Sequence, residues 1–228
     1  MNVKIYCFRI GNKYGPEYED YINEKLKDYD VVWIREPYDK RVALQWNKML
    51  CMALDIEEPI VVLDIDVILT GDYKQLFDYP IQPGEFLSIP SWWGSREGWS
   101  INGGFFKYYP KDCRYIYDIF MENPGHWQKH YIKQKLTVGP VNGEQFFVEE
   151  HVKQKLKLKL VPNSWITRWA QDEEVNGRVE EIYIEKTQNE YLIENNVFHP
   201  DIKLVHFTTS LNKPHESKLY KYYNNARS

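Results

Sequence analysis

The chemistry in this 228-residue chain concentrates on two carboxylates, Asp64 and Asp66, which follow the aliphatic run Ile60-Val61-Val62-Leu63. Alternate side chains of a strand share a face, so this spacing puts both acids on one side of the chain and turns Ile65 to the other. Two carboxylates held this close repel each other, and at the end of a buried strand the pair is costly unless a cation lies between them. The carboxyl edge of a parallel sheet is also where open α/β domains take their ligands. Hard oxygen donors favour Mg²⁺ or Mn²⁺ over zinc. The competing reading is a pair of solvated acids at a strand end.

The elements that must position the pair can be read outward from it. An aliphatic run with no polar alternation is a strand covered on both faces, which makes Ile60-Val61-Val62-Leu63 the central strand of a sheet. Upstream, residues 3–10 predict a strand ending in a loop with Gly11, Gly15 and Pro16; 18–26 a helix; and 31–34 a strand. Residues 42–54 predict a helix with Val42, Trp46, Met49, Leu50 and Ala53 on one face. Downstream come strands at 86–89 and 101–109, the latter carrying Gly103-Gly104, and a helix at 114–121 ending at Asn123-Pro124-Gly125. A helix at 144–155 and a strand at 156–161 follow. Residues 171–200 are charged and Asn-rich, with a strand at 182–184, and read as an insertion or flap. A late strand at 203–207 and a last helix at 214–223 complete the pattern. With no repeat and no low-complexity linker, it predicts one α/β domain over 1–228.

Composition narrows the partners. A formal charge of -4 provides no basic field for a polyanion, which argues against nucleic acid. Any phosphate must therefore be held locally, as by a divalent ion between carboxylates and phosphate oxygens. Cys7, Cys51 and Cys113 are odd in number and widely spaced, which suits a reducing, cytoplasmic setting. No stretch approaches the roughly 20 apolar residues of a membrane span, and the N-terminal apolar run is too short for a signal peptide. A soluble protein is expected. Aromatic residues make up 16% of the chain, and Trp92-Trp93-Gly94-Ser95-Arg96 with Trp99 could stack on a sugar or fill the core.

Five short blocks occur in order around the acidic pair: Lys13-Tyr14-Gly15-Pro16-Glu17-Tyr18, Trp46-Asn47-Lys48, Leu63 to Asp66, Asn102-Gly103-Gly104 and Gly143-Glu144-Gln145. His206 with Lys213-Pro214-His215 adds a sixth. Each has a plain alternative: turn-forming glycines, a solvated helix lysine, a bulge at the glycine pair, a generic acid in a first helical turn, a surface histidine. Taken together they resemble the GT-A glycosyltransferases, and the chain is similar to family 8, the glycogenin-like and bacterial galactosyltransferase-like group. His215 departs from the Trp of that family's terminal block, and Glu144 is one methylene longer than its usual Asp.

The resemblance implies a single Rossmann-like GT-A domain whose mixed, mostly parallel central sheet is flanked by helices. It implies a nucleotide-sugar donor, UDP-sugar favoured, and Mn²⁺ or Mg²⁺ held by Asp64, Asp66 and His206. Phe8, Arg9, Gly11 and Tyr14 would lie beside base and ribose, Ile65 would belong to the donor-binding set, and Asn102 and Gly103 would lie beside the sugar. Lys48 and Lys213 would meet the diphosphate, with Glu144 and Gln145 near the reacting carbon. The acceptor would be a hydroxyl of a carbohydrate, glycan or protein, and the outcome retention. Two rivals stay open. Asp-x-Asp-x-Val also resembles the nucleophile motif of haloacid-dehalogenase-type phosphatases, although that motif usually lies near the start of the chain and no later acidic pair follows a phosphate-binding lysine. A non-catalytic carbohydrate-binding protein of the same fold is the other.

Overall fold

The computed structural model describes residues 3–91, 98–137, 143–169 and 201–207. Its spine is the aliphatic run, now β3 (Ile60–Leu63), all four residues buried. In chain order the other elements are β1 (Lys4–Phe8), α1 (Pro16–Lys25), β2 (Asp30–Ile34), a 3₁₀ helix (Leu44–Ala53), then after β3 the short β4 (Val67–Leu69) and α2 (Lys74–Asp78). These are followed by β5 (Glu85–Pro90), β6 (Ile101–Tyr108), α3 (Pro110–Glu122), α4 (Pro124–Lys133), α5 (Glu144–Lys155), β7 (Lys157–Leu160), β8 (Ile166–Trp169) and β9 (Leu204–Phe207).

Six strands form the main sheet in the order β2-β1-β3-β6-β5-β7, and β4-β9-β8 form a second, small one. Within the main sheet β1 runs parallel to β2 and β3, and β5 parallel to β7, while β6 runs antiparallel to both neighbours. Alternation along the strands divides the core in two. Ile5, Cys7, Val61, Leu63 and Phe105 face α1, α2 and the small sheet, whereas Tyr6, Ile60, Val62, Phe106 and Tyr108 face the 3₁₀ helix, α3, α4 and α5. All three cysteines are buried and unpaired.

Several expectations change in instructive ways. The helix expected over 42–54 is a 3₁₀ helix, and its buried face is broader than the predicted stripe: Leu50 and Ala53 are half-buried, while Asn47, Lys48, Cys51 and Met52 are buried. Trp46, Met49 and Met52 recur every three residues, the repeat that aligns side chains in a 3₁₀ turn. Asn123-Pro124-Gly125 ends α3 but also begins α4, which the sequence reading did not include. The Asn123 side chain accepts a bond from the His126 amide, and Pro124 occupies the first turn, where its missing N–H costs nothing. The strand at 182–184, the flap at 171–200 and the helix at 214–223 lie outside the described residues.

The glycine pair turns out to sit in a bulge. Ser88 of β5 pairs with Phe106 and the next residue, Ile89, pairs with Asn102, so residues 103–105 of β6 have no ladder partner on β5. The ladder on the other side is intact, with Phe105 opposite Leu63. A bulge re-aims the chain locally, and this one points Asn102-Gly103-Gly104 toward the end of β3.

Glu149 of α5 anchors the start of the same strand. Its buried carboxylate accepts from the Ser100 amide at 2.8 and 2.9 Å, the Ser100 hydroxyl at 2.6 Å and the Ile101 amide at 3.1 Å, and it pairs with Lys153 at 2.6 Å. Replacing it with Ala leaves those donors without their acceptor. Glu149→Ala is expected to cost about 2–3 kcal/mol, read from urea unfolding midpoints.

Candidate metal centre

Asp64 and Asp66 lie not within a strand but in the turn between two sheets. At the end of β3 the Asp64 amide donates to the Gly104 carbonyl at 2.9 Å, and two residues later the Asp66 carbonyl accepts from the Phe207 amide at 2.8 Å. The chain then enters β4, where Val67 stands opposite His206 of β9 in antiparallel register. The main sheet therefore fixes Asp64, and the small sheet fixes Asp66 and His206.

The three side chains converge. One ligand atom from each of Asp64, Asp66 and His206 lies within 4.8 Å of the other two. His206 Nε2 is 3.6 Å from Asp64 Oδ2 and 3.8 Å from Asp66 Oδ1. These gaps are too long for hydrogen bonds and suit a small cation between the groups. Two carboxylates and an imidazole are a donor set that could hold a divalent cation. Gly104 fits the same purpose, because a Cβ there would stand 2.8 Å from both His206 Cδ2 and Asn102 Oδ1. Only a residue without a side chain lets β6 pass this close to the imidazole.

Lys48 reaches the group from the 3₁₀ helix. It is 2% exposed, which removes the solvated-lysine alternative. Its Nζ lies 2.6 Å from Asp64 Oδ1, 2.8 Å from the Gly103 carbonyl and 3.5 Å from Glu144 Oε1. Burial alone would lower the Lys48 pKa, but Asp64 and Glu144 outweigh it and raise the value. Burial would likewise raise the Asp64 carboxyl, yet Lys48 and His206 outweigh that and hold it down to about 2. Glu144 goes the other way. Burial and the Asp64 charge push it up, and Lys48 offsets only part of this.

Glu144 and Gln145 open α5 against the bulge. Gln145 Oε1 accepts from the Gly103 amide at 3.1 Å, while Glu144 Oε2 is buried with no hydrogen-bond partner among the described residues. A Cβ on Gly103 would lie 2.7 Å from Glu144 Oε1. Asn102, also buried, turns its Oδ1 to the Gly104 amide at 2.8 Å and so holds its own bulge.

The loop between β1 and α1 closes the other side. The Tyr14 hydroxyl donates to Asp66 Oδ2 at 2.6 Å, a contact across 52 residues that no local pattern announces. Arg9 is ion-paired with Glu19, which also takes a bidentate pair from Arg35, and Arg9 reaches the Tyr14 carbonyl at 3.5 Å. Burial would raise the Glu19 carboxyl, but Arg35 and Arg9 bring it below its usual value. Gly11 is exposed with φ +78°, Phe8 is half-buried against the core, and Ile65 is buried in it.

The structure thus gathers Tyr14, Lys48, Asp64, Asp66, Asn102, Gly103, Glu144, Gln145 and His206 into one cluster. Lys213, His215 and residues 92–96 lie outside the described residues. Glu19 and Arg35 escaped the sequence reading, since nothing in their spacing marks them. A cavity of 560 Å³ opens elsewhere, beside Lys4, Pro59, Ile60 and Lys107 at the opposite ends of β1, β3 and β6, and contains none of the motif residues. Among the described residues no helix is long and apolar enough to cross a membrane.

No protein-family model matches the chain, and no curated protein matches it in sequence. Solved structures do. The chain is similar to the apo form of the glycosyltransferase GlyE of Streptococcus pneumoniae, with TM-score 0.59 and 12% identity over 98% of this chain and 59% of that one. It is similar to the galactosyltransferase LgtC in complex with donor and acceptor sugar analogs, with TM-score 0.51 and 10% identity over 98% of this chain and 94% of that one. The apo structure of the bifunctional glycosyltransferase WbbM matches with TM-score 0.55 and 10% identity over 98% of this chain and 48% of that one. The chain therefore spans nearly the whole of LgtC but only 59% of GlyE. At these identities the likeness shows the fold, and the fold is that of the GT-A glycosyltransferases, as the order of the motifs implied.

Two variants probe the construction of the site. Gly104→Ala forces a methyl against His206 and Asn102 and is expected to lose about 1–3 kcal/mol in urea unfolding. The second concerns acid stability. Asp64 sits at about 2 against an ordinary 3.8, so its contribution is complete above the ordinary value and is lost as the pH falls toward 2. Lys48→Met raises the native carboxyl, so thermal melting in EDTA from about pH 5 to pH 3 should show a shallower acid limb, by up to about one proton.

Proposed function

We propose that the chain is a metal-dependent glycosyltransferase that moves a sugar from a nucleotide diphosphate sugar, UDP-sugar favoured, to a hydroxyl of a carbohydrate, glycan or protein acceptor. The observation that carries this reading is the convergence of Asp64, Asp66 and His206 at a sheet junction of a GT-A fold. The glycosyltransferase activities named for GlyE, LgtC and WbbM support it. Mn²⁺ or Mg²⁺ held by these three residues would act as a Lewis acid on the leaving diphosphate.

The chain's own residues have distinct parts. Lys48, expected at the diphosphate, is instead buried against Asp64 and Glu144, where it keeps Asp64 ionised without entering the ligand set. Glu144, with one buried oxygen lacking a hydrogen-bond partner among the described residues, is suited to accept a donor-sugar hydroxyl. Gln145 and Asn102 hold the backbone of the bulge, so Gly103 can lie against the donor with no side chain between them. The loop carrying Phe8, Arg9 and Gly11 is assigned to base and ribose and Lys213 to the diphosphate, whereas the side chain of Ile65, expected in the donor site, is packed in the core. Family 8 likeness supports retention. The buried, unpaired cysteines support a reducing, cytoplasmic setting. Compared with a phosphatase, in which Asp64 would be the nucleophile, an imidazole facing both acids favours a metal site.

Melting with UDP- and GDP-sugars, each with and without Mn²⁺, tests the reading. At about a hundredfold excess over Kd the correct nucleotide with metal should raise the midpoint by about 5–10 °C, and Asp66→Ala should abolish the rise. A panel with no shift for any nucleotide sinks the proposal. Release of UDP or GDP across a donor panel then identifies the sugar.

A further inference from the structure

The two aspartates are held in matching ways by unlike groups. Asp64 turns Oδ2 toward His206, and its other oxygen, Oδ1, is taken by Lys48 at 2.6 Å. Asp66 turns Oδ1 toward His206, and its other oxygen, Oδ2, is taken by the Tyr14 hydroxyl at 2.6 Å. In each case one oxygen is tied back and the other faces the shared centre.

We propose that Tyr14 is a positioning residue for the metal: by holding Asp66 Oδ2 it presents Asp66 to the ion through Oδ1 alone. The inference rests on the metal reading above and departs from the base or ribose contact expected for Tyr14. The choice of donor has a physical logic. Lys48 neutralises much of the charge on Asp64, so a second cation on Asp66 would leave little attraction for a divalent ion. A phenol orients the carboxylate and leaves its negative charge in place. Groups that orient a metal's ligands commonly contribute 10–100-fold in affinity.

Tyr14 is itself braced. Its ring meets Tyr18 edge-on at 4.8 Å between centroids, Lys13 lies over it at 4.5 Å, and Arg9, fixed by Glu19, reaches its carbonyl. A hydroxyl carried on so constrained a ring can hold an oxygen in place rather than follow it. The loop after β1 is thereby joined to the metal ligands by one hydrogen bond.

Tyr14→Phe removes that bond and keeps the ring. Mn²⁺ affinity is measured without nucleotide, from the electron paramagnetic resonance signal of free Mn²⁺, for wild type, Tyr14→Phe and Asp66→Ala. Melting in EDTA checks that each variant is folded. The expected result is Mn²⁺ binding weakened about tenfold in Tyr14→Phe, with an unchanged EDTA midpoint, and lost in Asp66→Ala. Unchanged affinity in Tyr14→Phe beside a loss in Asp66→Ala overturns the role of Tyr14 and leaves the metal site standing. Unchanged affinity in both overturns the metal reading itself.

Discussion

Mutual repulsion between Asp64 and Asp66, two carboxylates held one residue apart at the end of β3, governs how the groups around them are arranged. At the end of a buried strand two like charges are expensive, and the surrounding groups are arranged to hold them both there. Lys48, itself buried, meets Asp64 directly and sits near Glu144, so one ammonium answers two carboxylates. Tyr14 orients Asp66 without neutralising it. The arrangement leaves one oxygen of each aspartate facing His206, and under the proposed function that is where a divalent ion would sit.

Geometry at the site follows from two sheets meeting at one turn. β3 delivers Asp64 from the main sheet, the small sheet delivers Asp66 and His206, and the bulge in β6 brings glycines to the point where a Cβ would collide with His206 or Glu144. The bulge costs ladder hydrogen bonds to β5. Part of that loss is recovered locally, as Asn102 and Gln145 accept the Gly104 and Gly103 amides and the Gly103 carbonyl accepts from Lys48. Loss of sheet regularity and gain of a site are here the same event.

Much of the fold was legible because burial on both faces leaves a plain mark: Ile60 to Leu63 reads as a covered strand with no other information. The small sheet was harder. Val67-Ile68-Leu69 and Ile166 to Trp169 are too short to stand out, and their pairing partner arrives only at Leu204. The second use of Asn123-Pro124 was missed because one signal both ends α3 and starts α4. Of the site, Asp64 and Asp66 were legible from spacing, whereas His206 was reached through the resemblance of ordered motifs and could not have been found from its own neighbours. Tyr14 was singled out, but for another task. Its contact with Asp66 depends on how the loop after β1 folds across the end of β3, which pairwise spacing does not encode.

Under the proposed function Asp64, Asp66 and His206 hold a divalent ion in common. Anomalous diffraction at the manganese edge, from crystals of the protein grown with Mn²⁺ and UDP, locates that ion. An anomalous peak is expected in contact with His206 Nε2, with one oxygen of each aspartate and with the diphosphate. UDP bound at this edge with no peak there, or a peak that touches neither aspartate, would contradict it.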